Sequence, residues 1–343
     1  MHEQLFGFFH AGVGPWIHGR LGLGSRGDFN PAPPPGYAES RMKIAFFGLP
    51  LAALCLRHDG HDVQLAVLSP VAAPGARRLR AALAPGQVLR VADLDPDALR
   101  SQLQERLAAL APDLIVSWYF TRRIESPWLA LAQRGGIGVH PSLLPRHRGP
   151  NPFFWAIDSG DTTTGVSVHW LVDSYDAGDV IAQRSIPLGQ RNSWQLARAL
   201  DRVSLQALRE TVSRLARGEP VEAVTQDEAS ASWAPEPDDA LLRLDPTWSV
   251  DRALRRVRAL SPIPGLPIAI RGLEIFVTQA SAAAPVPQLL PGEAAVWPGT
   301  ESPVTLAVAD GALRIDRAVL ADGQELDGPS LAARLGILPP DPP

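Results

Sequence analysis

The sequence contains one cysteine, Cys55, and one lysine, Lys43, and it has no uninterrupted apolar run long enough to cross a bilayer. A single cysteine excludes an internal disulfide and a cysteine-based zinc site, a pattern typical of proteins in a reducing compartment. A membrane-spanning helix needs about 18 or more consecutive apolar residues, so none is expected. The net charge of −4 provides no overall positive field for nucleic acid. We therefore expect a cytoplasmic protein with no bound metal and no membrane partner.

The length and composition predict two domains with an extension at each end. The chain has 343 residues, of which 45% are apolar and 20% charged, enough material for packed cores. Glycine and proline interrupt residues 1–41, which we interpret as a flexible extension. A first domain is expected over residues 42–232, a proline-broken linker over 233–240 and a second domain over 241–336. Residues 337–343 are expected to form a disordered tail.

Short apolar runs alternate with helical patterns in the first domain. Strands are predicted at residues 43–47, 63–68, 114–118, 137–140, 165–171 and 180–187, and helices at residues 50–57, 95–110 and 194–217. Such alternation is typical of an α/β domain with a doubly wound, mostly parallel sheet, in which ligands bind beyond the carboxyl ends of the strands. In the second domain a helix over 248–260 precedes short strand-like runs separated by glycine and proline turns. That spacing predicts a small β-rich barrel.

A histidine and a group of carboxylates are the residues best suited to chemistry. His140 ends a predicted buried strand, where a histidine can act as an acid, a base or a charged electrophilic group. Asp173, Asp176 and Asp179 lie in a glycine turn between two later predicted strands. A carboxylate folded back onto His140 would orient its ring. Taken alone, each half has a plainer interpretation, because strand-end histidines are often structural and aspartate-rich turns are often solvated hairpins.

Taken together, these segments resemble a known family. The ten residues from His140 (HPSLLPRHRG), the strand from Thr164 (TGVSVH) and the turn from Asp176 (DAGD) are similar to the core of the 10-formyltetrahydrofolate-dependent formyltransferases. That core consists of an Asn-x-His-x-Ser-Leu-Leu-Pro loop followed by Arg-Gly, a Thr-Gly-Val strand and an Asp-Thr/Ala-Gly turn. The resemblance covers about residues 42–335, and residues 117–120 and 178–183 are closer to the branch that acts on sugar nucleotides.

The resemblance implies a formyl donor, 10-formyltetrahydrofolate, and a role for each matching residue. An acceptor amine attacks the formyl carbon, His140 stabilises the oxyanion, and Asp176 helps to relay the proton of the amine. The residues implied in binding the donor are Trp118, Tyr119, Phe120, Tyr175, Asp176 and Asp179. Those implied in lining the acceptor side are Gly138, Ser142, Leu143, Leu144 and Arg148.

One departure from the family pattern concerns the residue two places before His140. The family has a catalytic asparagine there that donates a hydrogen bond to the oxyanion, whereas this chain has Gly138. Loss of one such donor typically costs on the order of 10²–10³ in rate. Another donor can fill the gap, and the candidates are Asn151, His147, Tyr119 and Arg122. Otherwise the site runs a different one-carbon or acyl reaction, or the protein is a homologue that binds folate or a partner without efficient transfer. If only the donor is missing, Gly138→Asn should restore transfer.

The acceptor is expected to be a small amine, such as an amino sugar nucleotide or an intermediate of specialised metabolism. The alternative acceptor is methionyl-tRNA, for which four arginines on one predicted helix offer a basic face: Arg252, Arg255, Arg256 and Arg258. Residues 238–343 nevertheless contain nine arginines against thirteen acidic residues, an unsuitable footprint for RNA. Nucleic acid is therefore not expected as a partner, and the sequence does not determine the oligomeric state.

Overall fold

The computed structural model describes residues 41–71, 73–91, 95–286, 289–296 and 304–336. The predicted extension, apart from residue 41, and the predicted tail lie outside this part of the chain. The described residues form two compact units. The first contains the described residues up to Pro150 together with Gly165–Ser185 and Leu200–Trp233. The second contains Asn151–Thr164, Ile186–Ala199 and the described residues from Ala234 onward.

This division differs from the predicted boundaries, because residues 151–164 and 186–199 group with the second unit. Two hydrogen bonds hold the start of the segment predicted as a linker over 233–240. Ala234 is fully buried, and its carbonyl accepts a hydrogen bond from the main chain of Asn151. The carbonyl of Pro235 accepts a hydrogen bond of 2.8 Å from the indole of Trp155.

A seven-stranded sheet runs through the first part of the chain. Its strands are β1 (Lys43–Gly48), β2 (Asp62–Leu68), β3 (Val88–Arg90), β4 (Leu114–Trp118), β5 (Gly136–His140), β6 (Thr163–Trp170) and β7 (Val180–Pro187). The strand order is β3-β2-β1-β4-β5-β6-β7; the pairings from β3 to β5 are parallel, and β5 pairs with β6 antiparallel. The predicted doubly wound, mostly parallel sheet is confirmed. The chain leaves β1 in one direction and returns at β4 on the other side, which opens a crevice at the carboxyl ends of the strands.

Six helices accompany this sheet in the described sequence up to residue 216. They are α1 (Pro50–His58), α2 (Ala76–Ala82), α3 (Pro96–Leu110), α4 (Ser126–Leu129), α5 (Pro152–Asp158) and α6 (Ser193–Ala216). The carboxylate of Asp95 accepts hydrogen bonds from two main-chain N–H groups in the first turn of α3, as its predicted capping position requires. Leu99, Leu103 and Leu107 lie four residues apart on one face of α3 and pack in the core against strands β1, β2 and β4. None of the described helices is long and apolar enough to cross a membrane.

The second unit is built on an antiparallel sheet. Its further elements are α7 (Val250–Leu260), β8 (Leu266–Ile270), β9 (Leu273–Ala283), β10 (Ala294–Val296), β11 (Val304–Val308), β12 (Gly311–Leu320), β13 (Glu325–Asp327) and α8 (Gly328–Arg334). The strand order is β10-β11-β12-β9-β8, with β13 paired to β12. Ala253 of α7 packs against Leu306, Val308 and Leu313 of the sheet. The β-rich second domain is confirmed as a half-barrel, since no pairing among the described residues joins β8 to β10.

Candidate active site

The structure brings together the two segments that the sequence marked for chemistry. His140 is the last residue of β5, at the carboxyl end of the sheet, and it is buried. Asp176 lies in the turn between β6 and β7 and remains 19% exposed. Its Oδ2 atom lies 3.4 Å from Nδ1 of His140. A carboxylate at this distance is placed to hold a proton on Nδ1.

The second ring nitrogen of His140, Nε2, contacts a main-chain carbonyl. Nε2 lies 2.7 Å from the main-chain oxygen of His147. A carbonyl oxygen only accepts hydrogen bonds, so Nε2 must be the donor. Nε2 therefore donates to the His147 carbonyl, while Nδ1 faces the carboxylate of Asp176. A buried imidazole held in this way presents an N–H group that can stabilise a developing negative charge.

Asp176 is held by main-chain contacts on both sides. Its φ of +54° places it in the left-handed region, which aspartate adopts more readily than most residues. Oδ2 accepts a hydrogen bond of 2.9 Å from the N–H of Gly149, which joins the turn to the loop after His140. A Cβ on Gly178, two residues later, would lie 1.9 Å from the oxygen of Trp170, so the turn can approach β6 only with glycine there.

Gln226 connects the histidine loop to the aspartate turn. Its Nε2 donates hydrogen bonds of 2.7 Å to the carbonyls of both Asp176 and Gly178. Its Oε1 accepts from Nε and Nη2 of Arg148 at 3.0 and 2.8 Å. Arg148 also binds both carboxylate oxygens of Glu228, and these hydrogen bonds lower the pKa of that carboxyl. Arg148, implied by the resemblance to line the acceptor side, therefore lies buried and holds the loop in place.

A second imidazole lies on the other side of Asp176. Nε2 of His169, on β6, is 3.6 Å from Oδ1 of Asp176, and its Nδ1 is 2.9 Å from the carbonyl oxygen of Trp170. The ring is 3% exposed. Burial is the main reason that the pKa of His169 is lowered; Asp176 and the Trp170 carbonyl oppose it, and the cationic forms of His140 and Arg148 reinforce it.

Gly138 leaves the space in which the His169 ring lies beside Asp176. Gly138 and His169 are directly paired residues of the antiparallel strands β5 and β6. A Cβ on residue 138 would lie 2.8 Å from Cδ2 of Leu171 and 3.2 Å from Nε2 of His169. The volume of a side chain at position 138 is thus already filled by two side chains of this protein. Asn at position 138 would have to displace one of them, so restoration of transfer by Gly138→Asn is no longer expected.

The four donors suggested in place of the asparagine lie in different environments. Asn151 belongs to the second unit, where its side chain accepts from the N–H of Phe154 and donates to Glu236. His147 is buried, with its carbonyl oxygen bound to His140. Tyr119 has a φ of +53°, and the pKa of its phenol is raised by burial and by Asp201 on α6. Arg122 is exposed. His169, to which the residue patterns assigned no role, is the polar one of the two side chains that meet the space of residue 138, the other being Leu171.

The residues implied in donor binding divide into core and surface. Trp118 is buried, and its indole donates a hydrogen bond of 2.9 Å to Ser204. Phe120 packs edge-on against Phe47, with ring centroids 5.3 Å apart. Both side chains pack against the protein interior next to the carboxyl end of β4, and Phe120 is only partly buried. Tyr175 is 51% exposed on the aspartate turn, and the carbonyl of Asp179 accepts a hydrogen bond of 3.0 Å from the N–H of Trp170.

Three residues implied in lining the acceptor side shape the loop after His140. Ser142 is buried, and its Oγ donates a hydrogen bond of 2.6 Å to the carbonyl of Arg146. Leu144 is also buried, and its N–H donates a hydrogen bond of 3.0 Å to Oγ of Ser167 on β6. Leu143 is partly buried, with its Cδ2 only 2.6 Å from where a Cβ on Gly165 would lie. Ser142 and Leu144 thus fix the loop through internal hydrogen bonds.

Sequence comparisons match this chain to one family of known proteins. A family profile described as formyl transferase matches residues 42–212. A methionyl-tRNA formyltransferase of Anaeromyxobacter dehalogenans is 35% identical over 283 residues, which cover 79% of this chain and 88% of the relative. One from Bordetella avium is 32% identical over 302 residues, which cover 80% of this chain and 93% of the relative.

Solved structures share the fold at lower identity. HypX from Aquifex aeolicus, in complex with tetrahydrofolic acid, superposes with a TM-score of 0.60 at 23% identity over 86% of this chain. The match covers 48% of HypX, so the present chain spans about half its length. The sugar 3N-formyl transferase WlaRD gives a TM-score of 0.57 at 14% identity, covering 79% of this chain and 96% of WlaRD. On the strength of its curated relatives and the matching profile, this chain belongs to the formyltransferase family and is a group-transferring enzyme.

Proposed function

We propose that this enzyme transfers the formyl group of 10-formyltetrahydrofolate to the amine of a small molecule. The observation that carries the proposal is the contact between His140 and Asp176 at the carboxyl end of β5. Family membership supports the reaction class. The donor is supported by two proteins of the same fold, since HypX was solved with tetrahydrofolic acid and WlaRD with 5-N-formyltetrahydrofolate.

The residues around Asp176 suit a folate. A pterin ring is flat and carries hydrogen-bonding groups along its edge, so it needs an aromatic or apolar face and polar main-chain partners. The turn over 173–179 offers the half-exposed ring of Tyr175 and, next to it in the chain, the carboxylate of Asp176. We assign donor binding to Tyr175 and Asp176. When bound, the donor supplies a formyl carbon attached to a nitrogen leaving group.

The transfer requires one bond to form, one to break and one proton to move. The amine nitrogen attacks the formyl carbon, the bond from that carbon to N10 of the folate breaks, and a proton passes from the amine to N10. His140 stabilises the negative charge that develops on the formyl oxygen, and Asp176 accepts the proton of the amine. The Nε2–H of His140 is bound to the His147 carbonyl. The formyl oxygen must share or replace that hydrogen bond.

A small acceptor is favoured over RNA by the arginines of α7. Within the second unit, Asp158 forms hydrogen bonds with both Arg252 and Arg256, and the Arg256 side chain is only 1% exposed. These two members of the predicted basic face are therefore engaged internally. A methionyl-tRNA acceptor stays as the second candidate, because two relatives with that name are 35% and 32% identical to this chain.

The test is a turnover assay with the full chain. Loss of the formyl group from 10-formyltetrahydrofolate is measured without acceptor, with a panel of amines that includes amino sugar nucleotides, and with methionyl-tRNA. We expect formyl loss to require an amine and to fall at least 100-fold in His140→Ala and in Asp176→Asn, as loss of a general acid–base group implies. The exposed residues His58 and Asp97 provide matched controls, His58→Ala and Asp97→Asn.

Each other outcome identifies an alternative. Folate binding without formyl loss to any acceptor contradicts transfer and favours a binding homologue or a different one-carbon reaction. Formyl loss only with methionyl-tRNA overturns the small-molecule acceptor. Absence of folate binding overturns the donor.

A further inference from the structure

Asp176 is shared by two histidines, and only one of them has a role in the proposed function. Nδ1 of His140 faces one carboxylate oxygen at 3.4 Å, and Nε2 of His169 faces the other at 3.6 Å. The far nitrogen of each ring contacts a carbonyl oxygen. For His140 it is Nε2 against His147, and for His169 it is Nδ1 against Trp170. Each far nitrogen must therefore carry a hydrogen, and proton exchange with Asp176 is confined to the two near nitrogens.

The surroundings of His169 favour its neutral ring. His169 is 3% exposed, and its burial disfavours the charged ring. The charged groups that face it are Asp176, which favours protonation, and His140 and Arg148, which oppose it when cationic. A neutral His169 with hydrogen on Nδ1 has its lone pair on Nε2, aimed at Asp176. The lone pair is thus placed to receive a proton that arrives on the carboxylate.

Gly138 is what makes room for this second ring. The residues are paired across β5 and β6, and a Cβ at position 138 would lie 2.8 Å from Cδ2 of Leu171 and 3.2 Å from Nε2 of His169. A larger residue at 138 would press on the nitrogen that faces Asp176. The position of His169 beside Asp176 therefore depends on a small residue at position 138.

We propose that His169 is a positioning residue that acts through Asp176, sharing at Nε2 the proton that this carboxylate takes from the acceptor amine, and that Gly138 is required for their contact. The inference rests on the proposed function. The proton passes from the amine to Asp176, is shared with Nε2 of His169, and returns through Asp176 to N10 of the departing folate, so no proton is gained or lost.

The contact is tested first without turnover. Nitrogen-15 NMR of labelled histidines in the full chain reports which ring nitrogen carries hydrogen. At neutral pH we expect His169 to be neutral with its hydrogen on Nδ1, and we expect Asp176→Asn to lower the pKa of His169 further. A hydrogen on Nε2 in the neutral ring, or a titration that does not respond to Asp176→Asn, overturns the inference whatever the enzyme transfers.

The catalytic part is tested with two substitutions and their combination. His169→Gln keeps the size and polarity of the side chain but cannot take up a proton. We expect it to lower kcat about 100-fold with little change in KM. We also expect the decline of kcat at acid pH to lose the contribution from ionisation of His169. Gly138→Asn is expected to lower kcat comparably, and the double variant to lose no more than the worse single variant because both changes break one contact.

A purely structural role for His169 predicts different results. It leaves the shape of the pH profile unchanged in His169→Gln, and it makes the losses in the double variant multiply. An increase of kcat in Gly138→Asn with His169 intact also overturns the proposal. His61→Gln is the matched control, since His61 is a buried histidine at the start of β2, away from the carboxyl ends of the strands. If the wild-type enzyme transfers no formyl group, the proposed function and the catalytic part fall together, while the NMR result still decides the contact.

Discussion

Gln226 holds two segments of the site through a single amide group. Its oxygen accepts from Arg148 and its nitrogen donates to the carbonyls of Asp176 and Gly178. Gln226→Glu keeps the acceptor for Arg148 but sets an oxygen against two carbonyl oxygens. We expect it to reduce stability by about 1–3 kcal/mol, the usual cost of leaving buried polar groups unsatisfied. We also expect formyl transfer to fall at least 10-fold, on the order of the loss produced when a supporting residue is removed.

Steady-state kinetics and urea unfolding check this prediction. Gln133→Glu introduces the same change at an exposed position and should alter neither quantity. Unchanged turnover in Gln226→Glu would show that Asp176 is positioned without the amide.

At the level of single residues, prediction from the sequence reached the pair but not its supports. The residue patterns indicated His140 at a strand end and three carboxylates in one turn, and the resemblance to the family selected Asp176 among the three. His169 could not be found in this way, because its proximity depends on the register that pairs it with Gly138. Gln226 lies in an irregular segment without periodicity, and nothing local distinguishes it from an exposed glutamine.

The turn between β6 and β7 depends on one close approach of main chain to main chain. A Cβ on Gly178 would meet the Trp170 oxygen at 1.9 Å, so Gly178→Ala must move the turn that carries Asp176. We expect formyl transfer to be lost while the chain stays folded, since the change is confined to one connection. Turnover and circular dichroism measured together check this expectation.

Gly218 provides the contrasting control. Its φ is +67°, and no atom lies within 4 Å of a Cβ placed there. Gly218→Ala therefore carries only the strain of a left-handed alanine, about 1–2 kcal/mol, with turnover retained. Full activity in Gly178→Ala would show that the turn can shift without disturbing the site.

At the level of elements, periodicity predicted the long members of the fold and missed the short ones. The apolar runs of β1, β2, β4 and β5 and the repeat of α3 were strong enough to identify. Helix α2 has one buried residue, Leu79, and β3 has only three residues, so neither produces a recognisable period. Helix α5 was missed because its seven residues carry aromatic side chains on several faces, although Asn151 and Pro152 form a good start for a helix.

The stability of the whole molecule is expected to depend on pH through His61. Neither ring nitrogen of His61 has a hydrogen-bond partner within the part of the chain that the structure describes. Burial lowers its pKa, with Asp59 opposing. The unfolded chain then binds a proton at a higher pH than the folded chain, so this group reduces stability as the pH falls below about 6.5, the value for an unperturbed histidine.

His61→Leu should remove this contribution. We expect a shallower decline of unfolding free energy between pH 7 and pH 5, and a gain of about 1 kcal/mol at pH 7.5 from removing an unsatisfied buried group. Denaturant unfolding at several pH values measures both. His58→Leu, at an exposed position, should leave the slope unchanged. An identical slope in His61→Leu and the wild type would assign the acid sensitivity to other groups.

The path of the chain between its two compact units has a consequence for how such a protein can be divided or recombined. The second unit takes residues 151–164 and 186–199 from the middle of the chain as well as the described residues after Ala234. A fragment ending at Trp233 would keep α5 but lose Arg252 and Arg256, leaving the buried carboxylate of Asp158 uncompensated. A gene fusion that exchanged only the C-terminal half would separate the same partners. We therefore expect an exchange of segments to preserve the second unit only when Asp158 and its two arginines are exchanged together.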